Sequence, residues 1–241
     1  IATLVAFFIK GLCGFANTLI FNGILSYTAN NINISPLEVV LGYPSNIILV
    51  WKERKSLNWK IWLPLTALVV AGSIPGIFLL KHTDAGLLKV IFGIAVIVVG
   101  VEMLFREMKS NRESSNRKPG GSKLVLILIG IISGLLCGLY GVGALLAAYV
   151  SRVAENSHEF KANICVVFVV ENTIRIILYA ATGILTLSVL KQVVILIPFM
   201  LAAVFLGMKS SSVLNEKIIK KIVIVLLILS GIVLIINNIP R

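Results

Sequence analysis

Apolar residues gather in eight long stretches, at 1–29, 36–51, 60–80, 86–105, 123–150, 161–182, 187–208 and 218–237, with short polar connections between them. Stretches near 20 residues match a helix crossing roughly 30 Å of hydrocarbon. The short alternating segments that a membrane β-barrel requires are absent. The pattern predicts an all-α polytopic membrane protein. Between the fourth and fifth stretches lies REMKSNRESSNRKPGGSK (106–123), charged, rich in Ser and Asn, and closed by Pro-Gly-Gly. That composition makes a flexible connection. The predicted division is an N-terminal unit over 1–105, a linker over 106–122 and a C-terminal unit over 123–241.

The two units share a pattern. GLCGFANTLIF from Gly11 and GLYGVGALLAA from Gly138 match at Gly11/Gly138, Leu12/Leu139, Gly14/Gly141 and Leu19/Leu146, an offset of 127. LLKVIFGIAVIVVG (87–100) and IIKKIVIVLLILSG (218–231) match at Lys89/Lys220, Ile91/Ile222 and Gly100/Gly231, an offset of 131. Apolar helices match easily by chance, but the common order and near-constant offset point to an internal duplication. Duplicated halves are a frequent architecture of secondary transporters.

Composition sharpens the class. The chain is 58% hydrophobic and 13% charged, with mean hydropathy +1.02; a soluble domain carries about 25% charged residues. A net charge of +12 raises nucleic acid as a partner. The basic residues sit in short loops between apolar runs, where topology signals belong, and that reading is set aside. Cys13, Cys137 and Cys165 all lie inside apolar stretches and read as small core residues. IATLVAFFIK runs on into GLCGFAN without a cleavage-type boundary and reads as the tail of a first helix, not a signal peptide.

Lys and Arg favour the cytoplasmic side. If all eight stretches cross, the two faces hold 12 and 8 of them. If the first and fifth stretches enter and leave on one face, loops 52–60, 106–123 and 209–221 join Arg152 and Lys161, giving 16 against 4, with Lys10 and Arg175 inside. The second arrangement predicts a cell-membrane protein with loops 52–60, 106–123 and 209–217 in the cytoplasm. CGLYGVG (137–143) places three glycines at the middle of the fifth stretch, and arms of about a dozen residues rise about 18 Å, to mid-bilayer and back. A backbone turn at that depth needs protein or an aqueous cavity around it. Each unit is then a re-entrant hairpin plus three transmembrane helices, and the odd number of crossings makes the pair an inverted repeat. Eight full spans in two parallel repeats is the competing arrangement, with long helices tilting to fit.

GLCGFAN, SGLLCGLYGVGALLAAYV, ENTIRIILYAATG and the Pro/Gly-bearing AGSIPGIFLL together resemble the sulfite exporter TauE/SafE family of membrane transporters, over essentially the whole chain from Gly11 to about Ile236. The resemblance implies transport of small anions, often sulfite or organosulfonates, across the cytoplasmic membrane. The family usually carries a denser glycine cluster after each break, often followed by a proline. Here the first break reads Gly14-Phe15-Ala16-Asn17, with Asn22 in place of the proline, and the second is thinned to Gly141, Gly143 and Ala144. Those departures bear on the substrate.

VVFVVENTIRIILYAATG (166–183) places Glu171 and Arg175 near the centre of a crossing. Residues four apart share a helix face and can pair. An ionised side chain at mid-membrane costs roughly 2.5–3.5 kcal/mol, so both are expected to face protein or a wet cavity. A self-neutralising structural pair is one reading. The other gives Arg175 to an anion and Glu171 to proton coupling, because a carboxyl group can take up and release a proton. Gly141 and Gly143 in one unit, with Gly14 and Asn17 in the other, let helix N-termini approach a ligand at the midplane; close packing of small residues is the bland alternative. GYPSNI (42–47) puts Pro44, Ser45 and Asn46 at the 127 offset from Glu171, Asn172 and Thr173. There Ser45, Asn46 and Asn172 can hydrogen-bond a ligand, or satisfy the carbonyl that Pro44 frees.

Lys10, just before the first break, reads as a snorkelling residue, with a second anion anchor as the alternative; Glu102 reads as interfacial, and Trp51, Trp59 and Trp62 as interface anchors. His82 and His158 fall in separate loops without a carboxylate cluster, so no metal site is expected. No Gly-Lys-Ser/Thr nucleotide motif is present, which makes transport secondary or passive without a cofactor. The expected partners are a small anion, the bilayer, coupling protons and a second copy in a homodimer, the last marked by no residue pattern. An integral membrane enzyme, a lipid-handling protein and a non-transporting scaffold are the other classes. The two arrangements separate by experiment: cysteine tagging places Ser114 and Ser157 on one face of the membrane if the breaks re-enter, and on opposite faces if all eight stretches cross.

Overall fold

Glycine and proline decide where the long apolar stretches end as helices. The computed structural model describes residues 1–25, 31–80, 90, 93, 94, 97, 98, 100, 101, 104, 105, 123–140 and 143–238. The expected linker at 106–122, His82, Glu102 and Gly141 lie outside the described residues. Helix α1 (Ala2–Cys13) stops where Gly14 turns left-handed at φ 88° and donates its N–H to the Lys10 carbonyl at 2.7 Å. Ala16, at φ 72°, completes the break, and α2 (Asn17–Leu25) begins at once. Helix α3 (Asn31–Glu53) contains Pro36 and Pro44 and ends in a 3-10 turn, Arg54–Ser56. Helix α4 (Trp59–Leu80) follows, and the described positions between 90 and 105 are helical.

The C-terminal unit runs α5 (Lys123–Tyr140), α6 (Ala144–Val153), α7 (Ser157–Ala181), α8 (Leu187–Val213) and α9 (Glu216–Asn238). Among the described residues there is no strand, as the all-α expectation requires. Among the described residues, three segments are long and apolar enough to cross a membrane by themselves, Ile34–Ser56, Ser157–Ala181 and Leu187–Val213. By contrast α6, at 10 residues, rises only about 15 Å.

Two boundaries differ from the sequence reading. The second stretch extends backwards from 36 to Asn31, and the polar side chains of Ser35 and Glu38 in this part of the helix are buried, at 2% and 3% exposed. Gly138, expected to help break the fifth stretch, stays helical, so the first arm there is 18 residues long. His158 lies in the first turn of α7, not in a loop, with Nδ1 2.7 Å from Oε2 of Glu53. The same turn is strongly capped. The Asn156 side chain accepts from the Glu159 N–H, while Oε1 of Glu159 accepts from Nδ2 of Asn58 at 2.9 Å. The Asn58 N–H in turn donates to Oδ1 of Asn163 at 3.0 Å. These bonds fasten the α3–α4 connection to the start of α7 and fix α3 beside α7 deeper in the bundle.

Helix α1 packs on α8, and α4 packs on α5. Both crossings are made through glycine. A Cβ on Gly11 would stand 3.1 Å from the Gly207 Cα, and one on Gly76 would stand 3.2 Å from the Gly138 Cα. Gly11 and Gly138 are related by the 127 offset, and Gly76 and Gly207 by the 131 offset. A similar reciprocity joins Gly100, against Ile228, to Gly231, against Ile97. Small residues at such crossings let helix backbones approach in the absence of a hydrophobic driving force. Replacing Gly207 by Val drives a side chain into the Phe8 carbonyl and is expected to destabilise the protein by about 1–3 kcal/mol, the usual cost of overpacking. Unfolding in detergent reads that loss, and Val213→Ala, at a side chain 83% exposed, serves as the comparison.

Candidate functional site

The two charges of α7 face inward. Glu171 and Arg175 are each 1% exposed, and α7 presents Asn172 and Tyr179 on the same buried face. Arg175 reaches across to α3 instead of closing on Glu171 alone. Its Nε donates to the Tyr179 hydroxyl at 3.1 Å and its Nη2 to the Ser35 hydroxyl at 2.6 Å, those two hydroxyls being 3.1 Å apart. Oε1 of Glu171 has no hydrogen-bond partner. Arg175 stays within electrostatic reach of both Glu171 and Glu38.

A second polar group spans the first helix break. Lys10, the last basic residue of α1, is 1% exposed and donates from Nζ to Oδ1 of Asn17 at 3.0 Å. The snorkelling reading is therefore corrected: Lys10 is sealed in protein, and its ammonium lies 5.7 Å from the Phe168 ring centre. From Asn17, Nδ2 donates to Oε1 of Glu38 at 2.5 Å, and the Thr18 hydroxyl donates to the same oxygen at 2.7 Å. Burying a charge costs several kcal/mol unless it is paired and hydrogen-bonded. The chain Lys10–Asn17–Glu38 meets that demand with one cation, one anion and an amide that accepts from the first and donates to the second.

Between these groups lies a cavity of about 20 Å³, enough for about one water molecule. Its polar lining is Lys10, Asn17, Thr18, Glu38, Asn46 and Asn172, and its apolar lining includes Phe15, Phe168 and the backbone of Gly143. The first turn of α2 supplies residues 17–19 to the wall. First-turn N–H groups have no partner within their own helix and carry partial positive charge. Asn46 is fully buried with neither its oxygen nor its nitrogen hydrogen-bonded. A buried carboxamide without a partner marks a place where water or ligand belongs. A larger recess of about 640 Å³, lined by Phe21, Leu25, Leu37, Thr186, Ser188 and Gln192 among others, opens near the N-terminal ends of α3 and α8.

The sequence-predicted residues separate accordingly. Asn17, Asn46, Asn172 and Gly143 meet around the cavity. Arg175 and Glu171 are buried nearby without lining it. Ser45 turns its hydroxyl onto the Gly42 carbonyl at 2.6 Å, within its own helix. Gly14 packs against Lys161, and its carbonyl accepts from the Cys165 thiol at 3.3 Å. Sequence reasoning passed over Glu38, Thr18, Ser35 and Tyr179. Glu38 carried a usable signal, as the lone carboxylate inside the stretch 36–51. With Lys10 and Arg175 set against Glu38 and Glu171, the formal charges of the region balance; any positive bias in the cavity comes from helix ends and from which groups touch it.

Among the described residues no group of three His, Cys, Asp or Glu gathers as a metal site, and the three cysteines are buried and not joined in a disulfide. The arrangement is suited to holding a small oxyanion through N–H and O–H donors with one cation beside them.

Lys10→Met removes the cation that lines the cavity and is expected to cost about 1–3 kcal/mol of stability in detergent unfolding, because the buried Asn17 oxygen loses its donor and Glu38 keeps only Arg175 as a counter-charge. Combining it with Glu38→Gln should recover part of that loss, a coupling that independent sites would not give.

The sulfite exporter TauE/SafE family model matches residues 1–234 of the chain. No curated protein and no solved structure matches it significantly.

Proposed function

The chain belongs to the sulfite exporter TauE/SafE family, a family of membrane transporters and not of enzymes, and from that premise we propose a secondary transporter of a small sulfur-containing anion, sulfite or an organosulfonate, in the cell membrane. Its binding site is the cavity between α2, α3, α7 and Gly143, at the level where both apolar stretches break. The observation that carries this reading is the fully buried, unpartnered Asn46 facing Lys10 and the first turn of α2 across a polar cavity. Asn17, Asn46 and Asn172 offer amide donors, Lys10 offers the contacting cation, and the backbone of Gly143 forms part of the wall, with the Phe168 ring filling the space a side chain there would take. Arg175, fixed by Ser35 and Tyr179, adds positive field from behind the wall. Gly14 shapes the break, and Ser45 holds the Pro44 turn in place. Gly141, at the second break, is assigned the same backbone role by its position in the sequence.

The two units form an inverted repeat of a re-entrant helix pair plus three crossings, with loops 52–60, 106–123 and 209–217 in the cytoplasm. Support comes from the reciprocal glycine contacts, in which the first helix of each unit meets the fourth helix of the other. Helix α6, bounded by described residues at both ends, is also too short to cross and fits an arm that ends at mid-bilayer. A cavity with room for one water is an occluded state, and the anion enters only when the surrounding helices shift.

Purified protein in liposomes tests the proposal by a flux screen of sulfite, methanesulfonate, sulfate, thiosulfate and small carboxylates. Sulfite or methanesulfonate should pass fastest. Asn46→Leu and Arg175→Gln should each lower that flux at least about tenfold, equivalent to about 1.4 kcal/mol. Trp59→Ala, on an exposed side chain, should stay near wild type. Unchanged flux in both Arg175→Gln and Arg175→Ala would remove that residue from the site.

A further inference from the structure

We propose that Glu38 is the coupling carboxylate of this transporter, occupying the anion seat when the site is empty and leaving it by taking up one proton for each anion bound. The inference rests on the transport reading above and names a residue that sequence spacing, which favours Glu171, does not reach.

The geometry carries the assignment. Oε1 of Glu38 accepts at 2.5 Å from Asn17 and at 2.7 Å from Thr18, at the N-terminal turn of α2. Those donors, beside the unpartnered Asn46, are the ones a bound oxyanion would use. A carboxylate is itself an oxyanion, so the seat is already filled by a resident ligand. The remaining space takes about one water, so an anion with three oxygens binds only if Glu38 moves out. Glu171 sits differently: it does not line the cavity and holds neither donor.

A displaced carboxylate needs a new partner. The charged and titratable groups facing Glu38 are Lys10 of α1, Arg175 and Glu171 of α7, and the Cys137 thiol of α5. Arg175 is held by Ser35 and Tyr179, Lys10 by Asn17, and Glu171 repels a second negative charge. Two anionic groups sharing one pair of donors are not both ionised. Asn17 and Thr18 therefore turn their N–H and O–H to an anion oxygen while Glu38 takes one proton from water on the entry side. When the anion leaves, the proton leaves with it and Glu38 recovers its two hydrogen bonds. A monovalent anion then moves together with one proton, with no net charge.

The test uses full-length protein in liposomes with methanesulfonate, which stays ionised across the working pH range. With a gradient of one pH unit, acid outside, and the membrane potential held at zero by equal potassium and valinomycin, coupling of one proton per anion gives about tenfold accumulation inside at steady state. Steady-state accumulation does not depend on rate, so slow variants remain readable. Wild type and Glu171→Gln should both accumulate, Glu38→Gln should equilibrate near unity, and Glu38→Asp should recover accumulation. Accumulation persisting in Glu38→Gln, or lost in Glu171→Gln, overturns the assignment. If Glu38→Gln does not fold, Glu171→Gln and Glu38→Asp decide: both accumulating supports Glu38, and failure of either overturns it. Wild-type vesicles that pass methanesulfonate without accumulating it defeat this inference alone. Vesicles that pass neither methanesulfonate nor sulfite defeat the transport reading and this inference with it.

Discussion

A charged group removed from water must be paired and hydrogen-bonded, and the centre of this protein is organised by that demand. Lys10 and Asn17 stand on either side of the break between α1 and α2, and Glu38 stands on α3. Their hydrogen bonds tie three helices together at the point where the backbone is least able to satisfy itself. The left-handed Gly14 and Ala16 make the turn. The Cys165 thiol donates to the Gly14 carbonyl, and the Lys161 side chain covers the glycine. Breaking a helix inside a bilayer is tolerable only where protein supplies such partners.

Around that centre the bundle combines close helix contacts with a packed core that includes Phe7, Phe15, Phe21 and Phe168. Gly11 with Gly207 and Gly76 with Gly138 bring helix backbones nearly into contact, and α1 and α5 are thereby locked to α8 and α4. Tight outer crossings leave the irregular segments 14–16 and 143 at the core, facing α3 and α7. The same two helices carry the polar residues: Ser35, Glu38 and Asn46 on one, Glu171, Asn172 and Arg175 on the other.

Legibility was uneven, for identifiable reasons. Gly14, Asn17 and Gly143 were readable because a glycine cluster inside an apolar run has few uses other than a break or a close approach. Glu171 and Arg175 were readable as inward-facing because lipid would penalise them. Lys10 was misread, since a lysine near the end of an apolar run resembles a snorkelling residue until its partner Asn17 is seen. Gly138 was counted with the break although it belongs to a helix crossing, a distinction that depends on whether another helix, here α4 with Gly76, lies against it. Glu38 was passed over because the polar run NINIS beside it made α3 look shorter than it is.

The sequence alone settled that this is a helical membrane protein, that two of its apolar stretches are interrupted, and that its mid-membrane charges turn inward. Those conclusions rest on local chemistry: run length, backbone freedom at glycine, and the cost of charge in hydrocarbon, none of which needs a neighbour to be known. Only the tertiary structure decided which groups meet. It joined Lys10 to Asn17 and Glu38, joined Arg175 to Ser35 and Tyr179 in place of a bond confined to α7, and left Asn46 without a partner at the cavity. Pairing of buried charges depends on distances of a few ångströms between residues far apart in the chain, and helical periodicity carries no such information.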